Sequence, residues 1–433
     1  MKIYDNPPRE QWTALCARPR PDDETLRARV QDILDSVRTL GDTALQQLSL
    51  AIDGRPLALE TGQTGVPLEV SREVIAAATQ RIAPTTREAI CRAAANIRAF
   101  HQAQMPRTIT VETTPGVRCI QKPVPIQRVG FYIPGGTAPL FSTVLMLGIP
   151  AAVAGCPEII LCTPAGKDGT IADEVLFAAD LCGIRQIYCV GGAQAIAAMA
   201  YGTKRIPKVD KVFGPGNRYV TLAKQLLSAD TVAVDMPAGP SEVMVVADAS
   251  AEPSFAAADL LSQAEHGPDS QVMLVCSSYS VARAVLDAVE RQLQKLPRAG
   301  FANRALAASR VVIMEDRAEA TAFVNAYAPE HLILSVRAPW EMAENVTAAG
   351  SVFIGAWTPE SAGDYASGTN HTLPTGGWAR AFSGLNVDSF LRKMTFQEIT
   401  RKGLENLAPV ITEMARAEGL DAHAAAVTIR LTR

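Results

Sequence analysis

The sequence predicts an α/β protein with two Rossmann-like parallel-sheet units, a helical N-terminal segment and a small helical C-terminal tail domain. Two observations support this prediction. From about residue 128 onward, short apolar runs alternate with helical patterns, which is typical of a parallel sheet covered by helices on both faces. The stretches before residue 105 and after residue 388 have helical patterns instead.

The changes between these patterns divide the chain into five segments. An N-terminal tail comes first, followed by a helical and strand region that we expect to pack with the second α/β unit. The first α/β unit, the second α/β unit and the tail domain come next. Their predicted boundaries are 1–21, 22–130, 131–238, 239–380 and 381–433.

The N-terminal half of the chain begins with helices. Apolar residues at spacings of three and four form one stripe over Leu26–Val37, and "TTREAICRAAANIRAFHQAQ" is a second amphipathic helix. We expect His101, near the end of that helix, to be an ordinary surface residue. The alternating stretch "ITVETTPGVRCIQKPV" predicts two strands joined by a Pro-Gly turn.

Nine apolar runs then predict the strands of the two sheets. Four belong to the first unit and five to the second: "RVGFYI", "EIILCT", "IRQIYCV", "VDKVF", "SEVMVVAD", "SQVMLVCSS", "SRVVIMED", "HLILSV" and "GSVFIG". In such sheets ligands bind beyond the carboxyl ends of the strands, and here those ends carry "PGG", "GGAQ" and "GPGN". Neither GxGxxG nor GxxxxGK[ST] is present, so the standard dinucleotide fingerprint and the P-loop are both missing.

Composition excludes several classes of protein. A net charge of −3 with interspersed signs provides no basic face for nucleic acid or an anionic membrane. No stretch of 18 uncharged apolar residues occurs, and no apolar region follows the early lysine as in a signal peptide. The eight cysteines lack CxxC spacing, which predicts reduced thiols in a cytoplasmic protein.

The histidines indicate where chemistry could occur. Four of the five lie in polar, Gly-rich or acidic settings, and imidazole beside carboxylate is what metal sites and general bases require. These settings are Gln263–His266, Glu330–His331, Asp364 to His371, and Glu418 to His423. The third lies in a 19-residue polar stretch, "PESAGDYASGTNHTLPTGG", that has almost nothing apolar to bury.

Gln263 and His266 are three residues apart on a predicted helix, so both project from one face and could share a metal ion. QxxH alone is weak evidence, because it occurs by chance in many helices. Asp364 could add a carboxylate and His423 a second imidazole. Nitrogen and oxygen ligands without thiolate suit Zn²⁺, Mn²⁺ or Co²⁺ better than a soft metal.

Glu330 and His331 directly precede an apolar strand, where a turn can direct both side chains toward a cleft. A carboxylate next to an imidazole provides two proton acceptors of different basicity. A cap pair at a helix end is an equally good interpretation of the spacing.

Several long stretches together resemble one family, histidinol dehydrogenase. They run in family order over nearly the whole chain: "GFYIPGGTAPLFSTVLMLGIPA", "GGAQAIAA", "VDKVFGPGN", "DMPAGPSEV", "LLSQAEHGPDSQV", "PEHLI", "PESAGDYASGTNHTLPT" and "EGLDAHAAAV". The resemblance implies a zinc- and NAD-dependent oxidation of L-histidinol, through L-histidinaldehyde, to L-histidine, which is the last step of histidine biosynthesis. A related amino alcohol remains an alternative substrate.

The resemblance also implies a role for each matching position. The first α/β unit would bind NAD⁺, and the second would carry the metal and catalytic residues. Glu330 and His331 would be the proton acceptors. One Zn²⁺ per subunit, replaceable by Mn²⁺ or Co²⁺, would be held by Gln263, His266, Asp364 and His423. Substrate would contact the same four metal ligands as well as Ser241, His331, His371 and Glu418. NAD⁺ would contact Tyr132, Gln194 and Asn217.

The chemistry of the second oxidation leaves two routes, because an aldehyde must add a nucleophile before it loses another hydride. We favour water activated by Glu330, and a cysteine thiohemiacetal is the alternative. The resemblance further implies a homodimer in which the tail completes the partner's site, whereas a tail folded onto its own chain is the alternative. A metal-dependent hydrolase or lyase and a non-catalytic metal-binding scaffold are the competing functions.

Overall fold

The structure is a computed structural model that describes residues 1–18, 24–60, 62–135, 139–237 and 239–432. Two parallel sheets, each covered by helices on both faces, form its centre. The strands are β1 (Lys2–Asp5), β2 (Leu57–Ala58), β3 (Val66–Pro67), β4 (Ile109–Thr114), β5 (Val117–Pro125), β6 (Arg128–Tyr132), β7 (Glu158–Thr163), β8 (Gln186–Cys189), β9 (Lys211–Phe213), β10 (Ala233–Val234), β11 (Glu242–Ala247), β12 (Gln271–Cys276), β13 (Arg310–Ile313), β14 (His331–Ser335), β15 (Ser351–Ile354) and β16 (Leu391–Ile399). The helices are α1 (Trp12–Leu15), α2 (Glu24–Leu40), α3 (Asp42–Leu48), α4 (Arg72–Arg81), α5 (Pro84–Gln102), α6 (Phe141–Ala154), α7 (Asp173–Leu181), α8 (Gly192–Tyr201), α9 (Arg218–Leu227), α10 (Pro253–Ala264), α11 (Tyr279–Leu293), α12 (Ala299–Ala308), α13 (Arg317–Tyr327), α14 (Pro339–Ala343), α15 (Glu360–Tyr365), α16 (Arg401–Ala417) and α17 (Asp421–Leu431).

The first sheet has the order β10-β9-β6-β7-β8, and all its strands are parallel. Side chains alternate between its two faces, so Val129 and Phe131 pack in one apolar core while Tyr132 packs in the other. The chain builds β6, β7 and β8 in one direction and then returns to the other side of β6. A crevice therefore opens between the carboxyl ends of β6 and β9, where such sheets bind ligands.

The second sheet has the order β1-β13-β12-β11-β14-β15 and is also parallel throughout. Its central strands are buried along their whole length, which explains why they read as continuous apolar runs. Helices α10, α11 and α12 cover one face, and α1, α13 and α14 cover the other. The α/β class predicted from the sequence is confirmed.

One expected packing was wrong. The region 22–130 was expected to pack with the second unit, but its helices cover the first sheet: α2 lies on α8 and α9, α4 on α7, and α5 on α6. The apolar stripe of α2 causes this, because its buried residues join the same core as the alanine-rich α8.

Both ends of the chain contribute strands. In the N-terminal tail, β1 pairs with β13 at the edge of the second sheet. The tail domain 381–433 is not entirely helical, because its nine-residue strand β16 pairs antiparallel with β5 along its whole length. With β4 these strands form a separate three-stranded sheet, from which α16 and α17 continue.

The polar stretch after β15 is anchored on the first unit. It forms α15 and then continues without regular structure to Gly377. Its Asn370 amide donates to the main-chain oxygen of Met146 at 2.7 Å and lies 3.3 Å from His101 Nε2. His101 is therefore fully buried, and the expected surface position was wrong.

Two further features concern the chain as a whole. Among the described residues, none of the helices combines the length and apolar character that crossing a bilayer requires. All eight cysteines are free thiols, and five of them are buried.

Candidate active site

The residues singled out in the second unit gather at the amino ends of the neighbouring strands β11 and β14. His331 begins β14, Glu330 precedes it, and Glu242 begins β11. Helix α10 runs back toward this edge and ends at Ala264. The cluster thus lies opposite the carboxyl edge at which parallel sheets usually bind ligands.

Glu330 is a buried carboxyl group, only 7% exposed. Its Oε2 accepts a hydrogen bond from the main-chain N–H of Glu242 at 2.8 Å and lies 3.5 Å from Gln263 Nε2. Burial raises its pKa to about 8, although the nearby His331 acts in the opposite direction. The partner of this carboxylate is therefore a strand residue, which removes the helix-cap interpretation.

The His331 imidazole is buried between acidic groups. Its Nδ1 lies 3.2 Å from the main-chain oxygen of Glu242, 3.6 Å from Glu360 Oε1 and 3.7 Å from Glu330 Oε2. The Gln263 amide nitrogen, which is a donor, also lies 3.3 Å from Nδ1. Because the three acceptors outnumber this donor, we assign the proton of the neutral ring to Nδ1. Burial lowers the pKa of His331, but attraction to the surrounding carboxylates outweighs burial and raises the pKa above its usual value.

The other nitrogen of His331 faces the polar stretch. Nε2 lies 3.5 Å from Asp364 Oδ1 and has no hydrogen-bond partner among the described residues. Burial opposes the ionisation of Asp364, but attraction to the adjacent His331 lowers its pKa below the usual range. Nε2 is therefore the ring atom available to a ligand.

Glu360 is a second buried carboxyl group, 1% exposed, in the first turn of α15. Its Oε2 accepts from the Ser262 hydroxyl at 3.3 Å, and its Oε1 has no hydrogen-bond partner among the described residues. Burial raises the pKa of Glu360 to about 8, against the attraction of His331. Donor atoms from His331, Glu360 and Asp364 lie within 4.8 Å of one another and could hold a metal ion.

Gln263 completes the buried part of the site. Its Nε2 donates to the main-chain oxygen of Glu242 at 3.2 Å, whereas its Oε1 is buried and unpaired within the described residues. Because α10 ends at Ala264, His266 lies in the following turn rather than on the helix, and its side chain is exposed. Unpaired amide oxygen, carboxylate and imidazole form the donor set that Zn²⁺ or Mn²⁺ accepts, so the residues fit a metal.

His371 lies beside Asp364 at the end of the polar stretch. Its Nδ1–H donates to the main-chain oxygen of Asp364 at 2.8 Å, and Thr143 Oγ1 on α6 lies 3.3 Å from its Nε2. Burial lowers the pKa of His371, against the attraction of Asp364. The polar stretch thus holds Asp364 and His371 together and joins them to the first unit.

The remaining predicted residues of the substrate and metal sites lie outside this cluster. Ser241 precedes β11, is half-buried, and accepts at its main-chain oxygen from the Gln271 N–H at 2.9 Å. Glu418 and His423 are exposed near the turn between α16 and α17. Within the described residues, no hydrogen bond or ion pair joins their side chains to the cluster of the same chain.

The residues predicted for NAD⁺ lie at the carboxyl edge of the first sheet. Tyr132 ends β6 and its hydroxyl accepts from the Gly192 N–H at 3.1 Å, at the start of α8. Gln194 is buried in the first turn of α8, and Asn217 caps α9 by accepting from two main-chain N–H groups. A cavity of about 180 Å³ at the ends of β7 and β8 is lined by residues that include Asp53, Arg55, Pro164, Lys167 and Gly191.

Three residues of the site had no assigned role in the sequence. Glu360 stands in the polar stretch itself, three residues before Gly363, and its presence there was the available signal. Glu242 begins an apolar run, where a charged residue could have been noticed. Arg18, which binds Glu242, left no signal, because its segment lacks any recognisable pattern.

Fold and cluster together define an α/β protein with buried carboxyl and imidazole groups at the amino edge of one sheet. The histidinol dehydrogenase family model matches residues 16–431. The chain therefore belongs to the histidinol dehydrogenase family and is an oxidoreductase.

Similar proteins support the same assignment. Histidinol dehydrogenase of Bacteroides thetaiotaomicron is 54% identical, with 100% of this chain and 99% of the relative covered. The enzyme of Escherichia coli K12 is 51% identical, with 98% and 95% covered. The crystal structure of histidinol dehydrogenase from Elizabethkingia anophelis matches with a TM-score of 0.95 and 49% identity, covering 100% of this chain and 98% of that one.

Proposed function

We propose that this chain oxidises L-histidinol through L-histidinaldehyde to L-histidine, the last step of histidine biosynthesis, and reduces two NAD⁺ per substrate. The reaction requires one Zn²⁺ per subunit, which Mn²⁺ or Co²⁺ can replace. The observation that carries the proposal is the buried Glu330–His331 pair beside unpaired ligand atoms, in a chain of this family. Two successive oxidations need two proton acceptors, and this pair supplies them.

His331 accepts the proton of the alcohol. With Nδ1–H directed at the Glu242 oxygen, Nε2 is free to receive a proton from a bound hydroxyl. The surrounding carboxylates that raise its pKa also stabilise the imidazolium once the proton has arrived. The same atom can accept a proton in the second oxidation, so His331 acts in both steps.

Glu330 activates the water that attacks the aldehyde. Burial makes this carboxylate more basic than an exposed one, and the Glu242 N–H fixes its orientation. A thiohemiacetal route is disfavoured because burial raises the pKa of Cys162, Cys182 and Cys276 well above neutrality, so that they remain thiols.

Gln263, His266 and Asp364, with His423 of the partner subunit, would hold the metal. The metal, when bound, supplies a template that orients the imidazole and amino nitrogens of the substrate. Ser241, His331 and His371, with Glu418 of the partner subunit, also contact the substrate. Because His371 is held by Asp364 and Thr143, its ring is already oriented before substrate arrives.

Tyr132, Gln194 and Asn217 contact NAD⁺ in the crevice of the first sheet. NAD⁺, when bound, would supply the hydride acceptor for each oxidation. Helices α6, α8 and α9 begin at this edge, and their N-termini favour the negative pyrophosphate. Arg55 and Lys167, in the adjoining cavity, add positive charge.

The protein works as a homodimer in the cytoplasm. Glu418 and His423 are exposed beside the apolar residues Met414 and Leu420, which are exposed as well and suit burial against a second copy of the chain. Free cysteines suit a reducing compartment.

Stoichiometry tests the proposal. Limiting L-histidinol, incubated with metal-loaded protein and excess NAD⁺, should yield two NADH and one histidine per molecule consumed. Protein treated with a chelator serves as the control, and other amino alcohols test the choice of substrate. Consumption of substrate without NADH would favour a metal-dependent hydrolase or lyase, and metal binding without turnover would favour a scaffold.

A further inference from the structure

The main chain of Glu242 contacts three groups of the site at once. Its N–H donates to Glu330 Oε2 at 2.8 Å. Its carbonyl oxygen lies 3.2 Å from both His331 Nδ1 and Gln263 Nε2. A small displacement of the backbone at this residue would therefore move both proton acceptors and a proposed metal ligand.

The side chain of Glu242 fixes that backbone from the other side. The carboxylate, 3% exposed, accepts from Arg18 Nε at 3.0 Å and Nη2 at 2.9 Å. Its Oε1 also accepts from the Gly376 N–H at 2.9 Å, near the end of the polar stretch that carries Asp364. Because a buried carboxylate without partners is strongly disfavoured, these contacts determine its orientation.

Arg18 is held in place by its own segment and by the second unit. Its guanidinium lies 3.7 Å from the centre of the Tyr327 ring, and its Nη1 donates to the Cys16 oxygen at 3.0 Å. The planar fork of arginine matches a carboxylate with two parallel hydrogen bonds, a geometry that lysine cannot reproduce. The N-terminal segment thus reaches the catalytic edge through one side chain.

We propose that Arg18 is a positioning residue, which fixes the geometry of Glu330 and His331 through the buried carboxylate of Glu242. This inference rests on the proposed function, since it takes Glu330 and His331 as the proton acceptors. Arg18 touches neither of them, so its effect passes through the main chain of Glu242. Proton transfer depends on sub-ångström placement, and a displacement of about 1 Å can cost about 100-fold in rate.

A cavity beside Arg18 makes a direct test possible. It has a volume of about 500 Å³ and is lined by residues that include Trp12, Thr13, Cys16, Arg18, Gly376 and Arg380. Removing the Arg18 side chain would extend this cavity to the Glu242 carboxylate. A free guanidinium ion could then bind where the arginine fork was.

The experiment compares Arg18→Ala with wild type, in the full-length, metal-loaded protein. We expect kcat with histidinol to fall roughly 10- to 100-fold while KM for NAD⁺ stays unchanged, because the NAD⁺ residues lie on the other sheet. Guanidinium, at concentrations far below those that unfold the protein, should restore much of kcat. Urea, which has a similar shape and no charge, should not.

Arg9→Ala is the matched control. It removes another arginine of the same segment, whose ion pair with Glu319 is exposed and far along the chain from Glu242. This variant should retain wild-type kcat. Glu242→Gln should reproduce the loss seen in Arg18→Ala, but guanidinium should not rescue it.

Three results would overturn the inference: unchanged kcat in Arg18→Ala, a loss that guanidinium leaves unrestored, or an equal loss in Arg9→Ala. If Arg18→Ala does not fold, Arg18→Lys is measured in its place. A wild-type kcat in Arg18→Lys would also overturn the inference. Wild-type turnover of histidinol is measured first. A failure of the proposed function appears there, whereas a failure of the positioning role appears only between variants.

Discussion

The residues assigned to the two proposed sites lie at opposite edges of the two parallel sheets. The residues assigned to NAD⁺ lie at the carboxyl edge of the first sheet, where α8 and α9 begin. The residues assigned to proton transfer and metal lie at the amino edge of the second, where α10 and α13 end. Helix N-termini carry partial positive charge and helix C-termini partial negative charge, so the first edge suits an anion and the second a cation.

The contents of the two edges follow the same electrostatics. Glu330, Glu360 and Asp364 gather at the amino edge of the second sheet. Burial disfavours the ionised forms of Glu330 and Glu360 and so raises their pKa values. At the edge of the first sheet, Gly214 lies so close to β6 that an added Cβ would be 2.0 Å from the main-chain oxygen of Tyr132. One fold class thus offers two different binding environments, and variants at each edge should have separable effects.

The largest effect is expected at the amino edge of the second sheet, from Glu330→Gln. This change keeps the shape and removes the base that activates water, so aldehyde oxidation should slow by about 10²- to 10⁴-fold. Alcohol oxidation should slow far less, whereas His331→Asn should slow both steps. Histidinaldehyde supplied directly separates the steps, and normal aldehyde oxidation by Glu330→Gln would contradict the assignment. Glu341→Gln, an exposed position, serves as the control.

The cation preference of the same edge predicts the second effect. Chelation should abolish turnover without unfolding the protein, because only a few polar side chains depend on the ion, and Zn²⁺ should restore activity. His266→Asn should lower metal affinity by roughly 10-fold or more, by analogy with the loss of other partners at metal sites. Metal titration followed by calorimetry measures this directly. Full activity in a sample shown to be metal-free would argue against a catalytic metal.

The same glycine-to-alanine change at the two edges sharpens the comparison. A Cβ at Gly214 would meet the main-chain oxygen of Tyr132, and one at Gly350 would lie 2.5 Å from the main-chain oxygen of Glu330. We expect Gly214→Ala to raise KM for NAD⁺, and Gly350→Ala to lower kcat with KM for NAD⁺ unchanged. Each effect should be about 10-fold, the equivalent of ~1.4 kcal/mol, because the backbone must shift to relieve each contact.

Gly300 provides the control for this pair, because it lies in α12 with nothing within 4 Å of an added Cβ. Gly300→Ala should leave both kinetic constants unchanged and stabilise the protein by about 0.5–1 kcal/mol, since alanine loses less backbone entropy. Identical kinetic changes in Gly214→Ala and Gly350→Ala would mean that the two edges do not act separately.

The sequence predicted much of this arrangement, and the errors have physical causes. Nine apolar runs identified nine strands of the two sheets, because strands buried on both faces of a parallel sheet consist of nearly continuous apolar residues. Strand β16 was missed because only Leu391 of its nine residues is buried, and its partner β5 lies more than 260 residues away. Periodicity cannot indicate a strand whose side chains face solvent.

The site residues show the same division. Glu330, His331, Gln263 and Asp364 belong to recognisable motifs, and the structure brings them together. Glu242 acts through its backbone, which every residue possesses, so no side-chain pattern could indicate that role. His101 was expected at the surface because nothing in its helix shows that Asn370, 269 residues later, packs on it.

The last difference between the two edges is completeness. Tyr132, Gln194 and Asn217 lie at one sheet edge of a single chain. Glu418 and His423 are exposed, and within the described residues no hydrogen bond or ion pair joins their side chains to the cluster that they would complete. We therefore expect the edge of the second sheet, but not that of the first, to require two subunits. In a two-fold dimer, each site would combine Gln263 and His266 of one chain with the tail of the other.

Reassembly of two inactive variants tests this arrangement. His266→Asn and His423→Asn are each expected to be inactive, and they are unfolded and refolded together in equal amounts. With shared sites, each heterodimer has one site carrying both substitutions and one carrying neither. Half of all dimers are then heterodimers with one intact site of two, so roughly a quarter of wild-type activity should return.

The alternative gives a different result. If the tail folds onto its own chain, every site carries one substitution and no activity returns. A tag on one variant shows whether heterodimers have formed, and binding of NAD⁺ to each variant alone should be normal, because that edge is complete. Heterodimers without activity would refute the shared site, whereas recovery toward a quarter would show that the amino edge of the second sheet is completed by the partner.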